Sequence, residues 1–233
     1  MARHWSRHCA ASLSTPIVID EFVFKPLNLP QQLSMLQSWF NQDYARFWGM
    51  QGMSLDALAQ AMAPSEHKLA LIGEWQAKPL FMVELYDPAQ DEVGEHYAVE
   101  RLDCGMHLIL APLEGKPVHG LSGQVMQAIA ELILEKLAFK RMVVEPDQQN
   151  HKIHRLNSQI GIRYQKAIQL RSKAAFLGFC SAQSRQLAQK TSALLMSRTA
   201  TQATQTTHAT HATHATHATH ATAVNPIILQ VNR

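Results

Sequence analysis

GMHLILAP (Gly105–Pro112), KPVHGLSG (Lys116–Gly123), QVMQAIAELILEKL (Gln124–Leu137), RMVVEPD (Arg141–Asp147) and NHKIHRLNSQIG (Asn150–Gly161) make up the stretch that decides the fold. The first piece is a short apolar run with one histidine, and it reads as a strand. The second is a turn containing Gly120 and Gly123. The third carries Val125, Met126, Ile129, Leu132, Ile133 and Leu137 at steps of three and four, the stripe of a helix packed on a sheet. The fourth is another apolar strand, ending in an acid. In the fifth, Ile153, Leu156 and Ile160 form an apolar stripe, while Asn150, His154 and Asn157 share a face at i, i+4 and i+7, and Gly161 stops the helix.

Working outward, IVIDEFVF (Ile17–Phe24) reads as a first strand, and Pro26 and Pro30 then break the chain. Helical spacing covers Leu33–Phe40, and Ser54 caps a second helix over Leu55–Met62. Leu69–Trp75 and Lys78–Tyr86 are two strands joined tightly at residues 77–78, an antiparallel hairpin. The polar loop Asp87–Asp103 is long for a plain connector. Ile162–Leu170 and Lys173–Cys180 are the last two strands. The expected class is α+β with a mixed sheet, in the order β, α, α, β, β, β, α, β, α, β, β.

Six of the 21 basic residues lie in residues 1–14 and 183–233, which hold no acid. The middle therefore carries 15 basic against 18 acidic residues, a poor surface for nucleic acid. No apolar run has the length of a signal peptide or membrane span, so no membrane partner is expected. Three widely spaced cysteines without a CxxC read as free thiols, and the expected compartment is the cytoplasm. The expected organisation is a flexible arm over 1–14, one domain over 15–182 and a low-complexity tail over 183–233. In the tail His208, His211, His214, His217 and His220 recur every third residue, which reads as repeat expansion more readily than as a metal tract. No metal centre is expected.

Four places can carry chemistry. The turn before Gln124 offers unpaired N–H groups and a positive helix end to a phosphate, with Ser122 and Lys116 beside them, or it is an ordinary helix start. His107 shares a strand face with Ile109 and Ala111, and is either a satisfied core group or a base. Asp147 ends a strand, where ligands bind in open sheets, or it caps the following helix. Trp48 and Tyr97 are core aromatics or site walls in equal measure.

The arrangement resembles the acyl-CoA-binding half of the GNAT N-acyltransferase superfamily. Asp103-Cys-Gly-Met-His107-Leu-Ile-Leu-Ala-Pro112 and Val143-Val-Glu-Pro-Asp147-Gln-Gln-Asn150-His-Lys-Ile-His-Arg-Leu-Asn157 resemble its branch that forms hydroxamates in siderophore biosynthesis, over roughly Ile17 to Cys180. The turn departs from the superfamily's pattern, with Pro117 where Arg or Gln stands first, Gly120 fourth and Ser122 sixth. Asn157 stands where many members have the tyrosine that protonates the leaving thiolate, and an amide is no proton source.

The resemblance implies a GNAT fold and His107 with Asp147 as the catalytic pair. Acyl-CoA is then the co-substrate, either succinyl-CoA or acetyl-CoA. Its contacts would be Leu108 and Leu110 on the splayed strand, Lys116, Gly120, Leu121, Ser122 and Gly123 at the turn, and Asn150, His154 and Asn157 on the last helix. Trp48, Glu84, Tyr97 and Asp103 would line the acceptor side, with Glu84 meeting a distal ammonium. The implied reaction is succinyl transfer to N-hydroxyputrescine or N-hydroxycadaverine, with acetyl transfer to N6-hydroxylysine as runner-up. An N-monooxygenase and a siderophore synthetase would be its pathway partners. A non-catalytic CoA-binding module has no need of a base at His107, and an antibiotic N-acetyltransferase fits poorly without the tyrosine.

Overall fold

Among the described residues, eight strands form one sheet in the order β1-β2-β3-β4-β5-β6-β8-β7. The structure is a computed structural model and describes Trp5, His8, Cys9, residues 15–112, Gly115, residues 118–194 and Ser197. Lys116 and the Thr-His-Ala repeat lie outside the described residues. The strands are β1 (Ile17–Ile19), β2 (Phe22–Pro26), β3 (Lys68–Trp75), β4 (Lys78–Tyr86), β5 (Asp103–Leu110), β6 (Arg141–Val144), β7 (Arg163–Gln169) and β8 (Ala174–Ser181). The helices are α1 (Leu29–Phe40), α2 (Leu55–Ala61), α3 (Leu121–Glu131) and α4 (His151–Gln159), and α3 runs on through a π-helical turn, Leu132–Lys136.

Two local expectations change. Ile17–Phe24 is not one strand but a tight hairpin, β1 and β2, turned at Asp20 with φ of 50°. Pro30 does not stop the chain; it sits in the first turn of α1, where its missing N–H costs no hydrogen bond. The β3–β4 hairpin turns on Gln76 and Ala77, both at positive φ. Ser54 caps α2 as read, its Oγ accepting from the Ala57 N–H at 3.2 Å.

All pairings are antiparallel except β5 with β6. That parallel pairing covers only Asp103–Gly105 against Arg141–Val143. Beyond Gly105 the two strands part, while β5 stays paired to β4 as far as Leu110. A crevice therefore opens in the middle of the sheet. Helices α3 and α4 pack on one face over the largest apolar cluster, which includes Met106, Val125, Ile129, Met142 and Val144. The opposite face carries two smaller clusters. One lies under α1 and α2 and includes Met82 and Ile109; the other includes Tyr86, Val143 and Phe179.

The compact unit runs to Ser192, past the expected boundary at 182. The reason is Arg185, 7% exposed, whose guanidinium pairs with Glu131 and Glu135 of the α3 segment. At the other end, Trp5 and Cys9 are buried in the main cluster and Trp5 packs on Phe139, so these residues do not behave as a free arm.

Candidate active site

Strand alternation places His107 on the face away from α3, between the two smaller clusters. Across β4, Glu84 is its register partner, and Tyr86 is opposite Gly105. Gly105 is required there: a Cβ at this position would stand 2.1 Å from the Tyr86 ring. With that space free, the Tyr86 ring lies over β5, stacks on the His107 imidazole at 4.8 Å, and sends its hydroxyl to Glu145 Oε2 at 2.7 Å.

Both imidazole nitrogens meet carboxylates. Nδ1 lies 3.2 Å from Glu84 Oε1 and Nε2 lies 2.5 Å from Glu145 Oε1. An ionised carboxylate only accepts, so a ring held this way donates from both nitrogens and is an imidazolium. Burial opposes the charge on His107, but Glu145 and then Glu84 outweigh it and raise its pKa from 6.5 to about 9. Burial also opposes the charge on Glu145; the nearby imidazolium, Lys173 and the Tyr86 hydroxyl overcome it and hold the carboxyl at about 2. Glu84 is likewise lowered against its burial, by His107 and by Lys68 at 3.3 Å. Tyr86, wholly buried beside Glu145, stays a phenol and a donor.

The family resemblance pairs His107 with Asp147. The structure places Glu145 at the imidazole, two residues earlier. The Asp147 carboxylate instead accepts the Gln149 N–H at 2.7 Å, and its backbone bridges to Ala175. Residues 143, 145 and 147 have the same parity, so alternation alone could not separate the two acids. The bridge to Ala175 continues the register of β6 against β8, so Asp147 lies farther along the same strand line than Glu145, with its carboxylate taken by the Gln149 N–H.

The crevice wall is built by the segment that carries Trp48, expected on the acceptor side. The 3₁₀ turn Asp43–Trp48 brings Trp48 to within 5.5 Å of His107, edge on. Its Nε1–H donates to Leu108 O at 3.1 Å, and the Tyr44 hydroxyl donates to Leu110 O at 2.7 Å. These two carbonyls therefore point away from β4. The N–H groups of the same residues project from the same edge, toward the space that β6 has vacated. Tyr44 was not singled out from sequence, since an exposed tyrosine in a short turn carries no signal of its own.

Tyr97 and Asp103 fall elsewhere. Asp103 is buried at the other end of β5, about 13 Å of strand from His107. Arg141 holds both its oxygens at 2.7 Å, and the Tyr97 hydroxyl and the Glu100 N–H add to Oδ2. Both carboxylate oxygens are thus occupied in a structural cluster.

On the α3 side, Gly120 precedes the helix at φ of 80° and no side chain caps it. The first-turn N–H groups of Leu121–Gly123 have no acceptor within the helix. Asn150 caps α4, accepting from Ile153 N at 3.4 Å. His154 and Asn157 converge on the Tyr164 hydroxyl of β7, each at 2.8 Å. His154 Nε2 reaches the Gln148 carbonyl at 3.2 Å, so this nitrogen carries hydrogen and Nδ1 accepts from Tyr164. Asn157 is 1% exposed and its Oδ1 has no partner among the described residues.

Comparison with known proteins identifies the family and agrees with the fold. The family model described as an acetyltransferase (GNAT) domain matches residues 28–170. An N-hydroxyputrescine acetyltransferase of Acinetobacter baumannii is 26% identical over 162 residues, 68% of this chain and 77% of that protein. The N(6)-hydroxylysine O-acetyltransferase of Escherichia coli is 27% identical over 128 residues, 54% of this chain but only 41% of that protein's length. Among solved structures, AAC(6')-Ib in complex with paromomycin and acetyl-CoA superposes with a TM-score of 0.63 at 18% identity, covering 71% of this chain and 96% of the other.

Proposed function

The chain belongs to the acetyltransferase (GNAT) domain family, and on that premise we propose that it moves an acyl group from acyl-CoA to the hydroxylamine nitrogen of an N-hydroxylated diamine, forming a hydroxamate for siderophore assembly. The observation that carries this reading is His107, gripped by Glu84 and Glu145 at the mouth of the crevice between β5 and β6. A hydroxylamine nitrogen is largely neutral at pH 7. The site need only remove its proton as the C–N bond forms, the work of an imidazole oriented by a carboxylate. We assign His107 as the base and Glu145 as the group that orients it.

The acyl thioester lies in the crevice, its carbonyl oxygen within reach of the Leu108 and Leu110 N–H groups. The pyrophosphate sits on the open first turn of α3, at Gly120, Leu121, Ser122 and Gly123. Asn150, His154 and Asn157 border the pantetheine arm, where an amide N–H would satisfy Asn157 Oδ1. The relatives named above act, by their names, on N-hydroxylated amines. The acceptor requires an amine N-monooxygenase upstream, and its product feeds a siderophore synthetase. Three free, buried cysteines fit a cytoplasmic setting.

Succinyl-CoA with N-hydroxyputrescine or N-hydroxycadaverine is our assigned pair. Acetyl-CoA with N-hydroxyputrescine or N6-hydroxylysine is the second reading, favoured by the acetyl transfer in both relatives' names. Thiol release measured with each donor and acceptor separates them. On the best pair, His107→Ala is expected to lower kcat by about a hundredfold or more with acyl-CoA affinity little changed. Glu145→Gln should slow turnover more than Asp147→Asn. Near-wild-type turnover of His107→Ala would overturn the assignment.

A further inference from the structure

An imidazolium cannot serve as a base. At rest His107 holds a hydrogen on each ring nitrogen, and both hydrogens are committed to carboxylates. The two carboxylates are held unequally. Glu145 is fixed by the Tyr86 hydroxyl at 2.7 Å and by Lys173 at 3.6 Å, and its contact with Nε2 is the shorter. Glu84 has a longer contact to Nδ1, and its other cation is Lys68, whose side chain is 41% exposed. An ion pair with so exposed an ammonium contributes little and exchanges readily. Glu84 is thus the replaceable clamp, and Lys68 marks the side from which another ammonium can approach.

Resting on the function proposed above, we propose that the acceptor's own second, cationic nitrogen switches the base on: by pairing with Glu84 it draws this carboxylate off Nδ1, so that His107 loses its Nδ1 proton and keeps Nε2–H donated to Glu145. The charges that face the ring are those of Glu84, Glu145, Lys68 and Lys173, with the neutral Tyr86 and Trp48 rings packed against it. One cation arrives as one proton leaves, so the net charge of the cluster is unchanged. In the reaction the hydroxylamine nitrogen forms the C–N bond with the thioester carbon, its proton passes to Nδ1, and the C–S electrons leave with the CoA thiolate. An acceptor of the same length without the ammonium finds the base still protonated. Specificity for diamines over simple alkylhydroxylamines then arises from the protonation state of the base as well as from binding.

The test compares N-hydroxyputrescine with N-butylhydroxylamine, both without acyl-CoA, while the His107 ring is titrated by NMR in the full-length chain. N-hydroxyputrescine is expected to lower the His107 midpoint by about one pH unit or more, leaving a neutral ring protonated at Nε2. N-butylhydroxylamine is expected to leave the midpoint in place. Calorimetry in two buffers near pH 8 should show about 0.4 proton released per N-hydroxyputrescine bound for a fall of one unit from about 9, and more for a larger fall, the reciprocal of the same coupling. In Glu84→Gln the midpoint should already be low, and N-hydroxyputrescine should no longer move it. A His107 midpoint unmoved in wild type, in an enzyme that acylates N-hydroxyputrescine, overturns the switch and leaves the function standing. Acylation of none of the N-hydroxyamines overturns the function, and the switch with it.

Discussion

Replacing Glu145 by Gln removes one charge and almost no volume, and its effect can be worked from the site. His107 titrates at about 9 instead of 6.5. At 1.36 kcal/mol per pH unit, the folded site holds the proton more tightly by about 3 kcal/mol. That figure is an upper one, because 30% of the His107 side chain is exposed and solvent screens the pair. Glu145 is the largest favourable contributor, ahead of Glu84. Its loss should lower the His107 midpoint by about one pH unit or more. The stability gain belongs to the imidazolium. It is complete below pH 6.5, where the unfolded chain is protonated as well, and it fades as the pH rises through about 9. Seen from Glu145, the same interaction is present above pH 4.5 and is lost as the pH falls toward about 2. Thermal melts should therefore show Glu145→Gln less stable than wild type at about pH 6, with the gap closing by about pH 9.5. NMR titration of the imidazole C2–H reads the midpoint directly. A variant midpoint equal to that of wild type, or a stability gap that widens toward alkaline pH, would refute the clamp.

Three further outcomes are expected. Gly105→Ala drives a methyl into the Tyr86 ring, and overpacking of this kind costs about 1–3 kcal/mol; calorimetric melting should show the loss, and turnover should fall because the ring that supports His107 and Glu145 is displaced. At Gly123 an added Cβ meets nothing nearer than Gln159 Oε1 at 3.9 Å, so Gly123→Asp should fold with an unchanged Tm while its carboxylate repels the CoA pyrophosphate and weakens acyl-CoA binding, read by titration calorimetry. Removing residues 185–233 deletes Arg185 from its place between Glu131 and Glu135 and should lower Tm, whereas removing 193–233, beyond the compact unit, should leave Tm unchanged.

Much of this architecture was legible in the residues. The helix read over Gln124–Leu137, the hairpin over β3 and β4 and the cap Ser54 follow from periodicity and from local hydrogen bonding, which depend on neighbours a few residues away, whereas the cap of α4 is Asn150 and not Asp147. His107 stood out because an imidazole in an apolar strand is chemically conspicuous. The tail boundary shifted for a local reason: Gln, Ser and Ala around Arg185 read as low complexity, and nothing nearby reveals that its partners lie fifty or more residues back on α3 and its π-helical extension.

The partners of His107 could not be read this way. Residues 145 and 147 have the same parity and the same charge, so strand alternation does not separate them, and the family pattern pointed to Asp147 alone. Glu145 meets the imidazole because it stands two residues past Val143, where the parallel pairing of β5 and β6 ends, while the Asp147 carboxylate is taken by the Gln149 N–H. Asp103 looked available for an acceptor until Arg141, its register partner across β6, proved to occupy both of its oxygens. Sequence determined which side chains this protein has for chemistry and which strand or helix carries each, because those depend on residue type and local period. Tertiary structure decided which carboxylate faces which cation, because strand register and the point where two strands part are set by contacts between residues far apart in the chain.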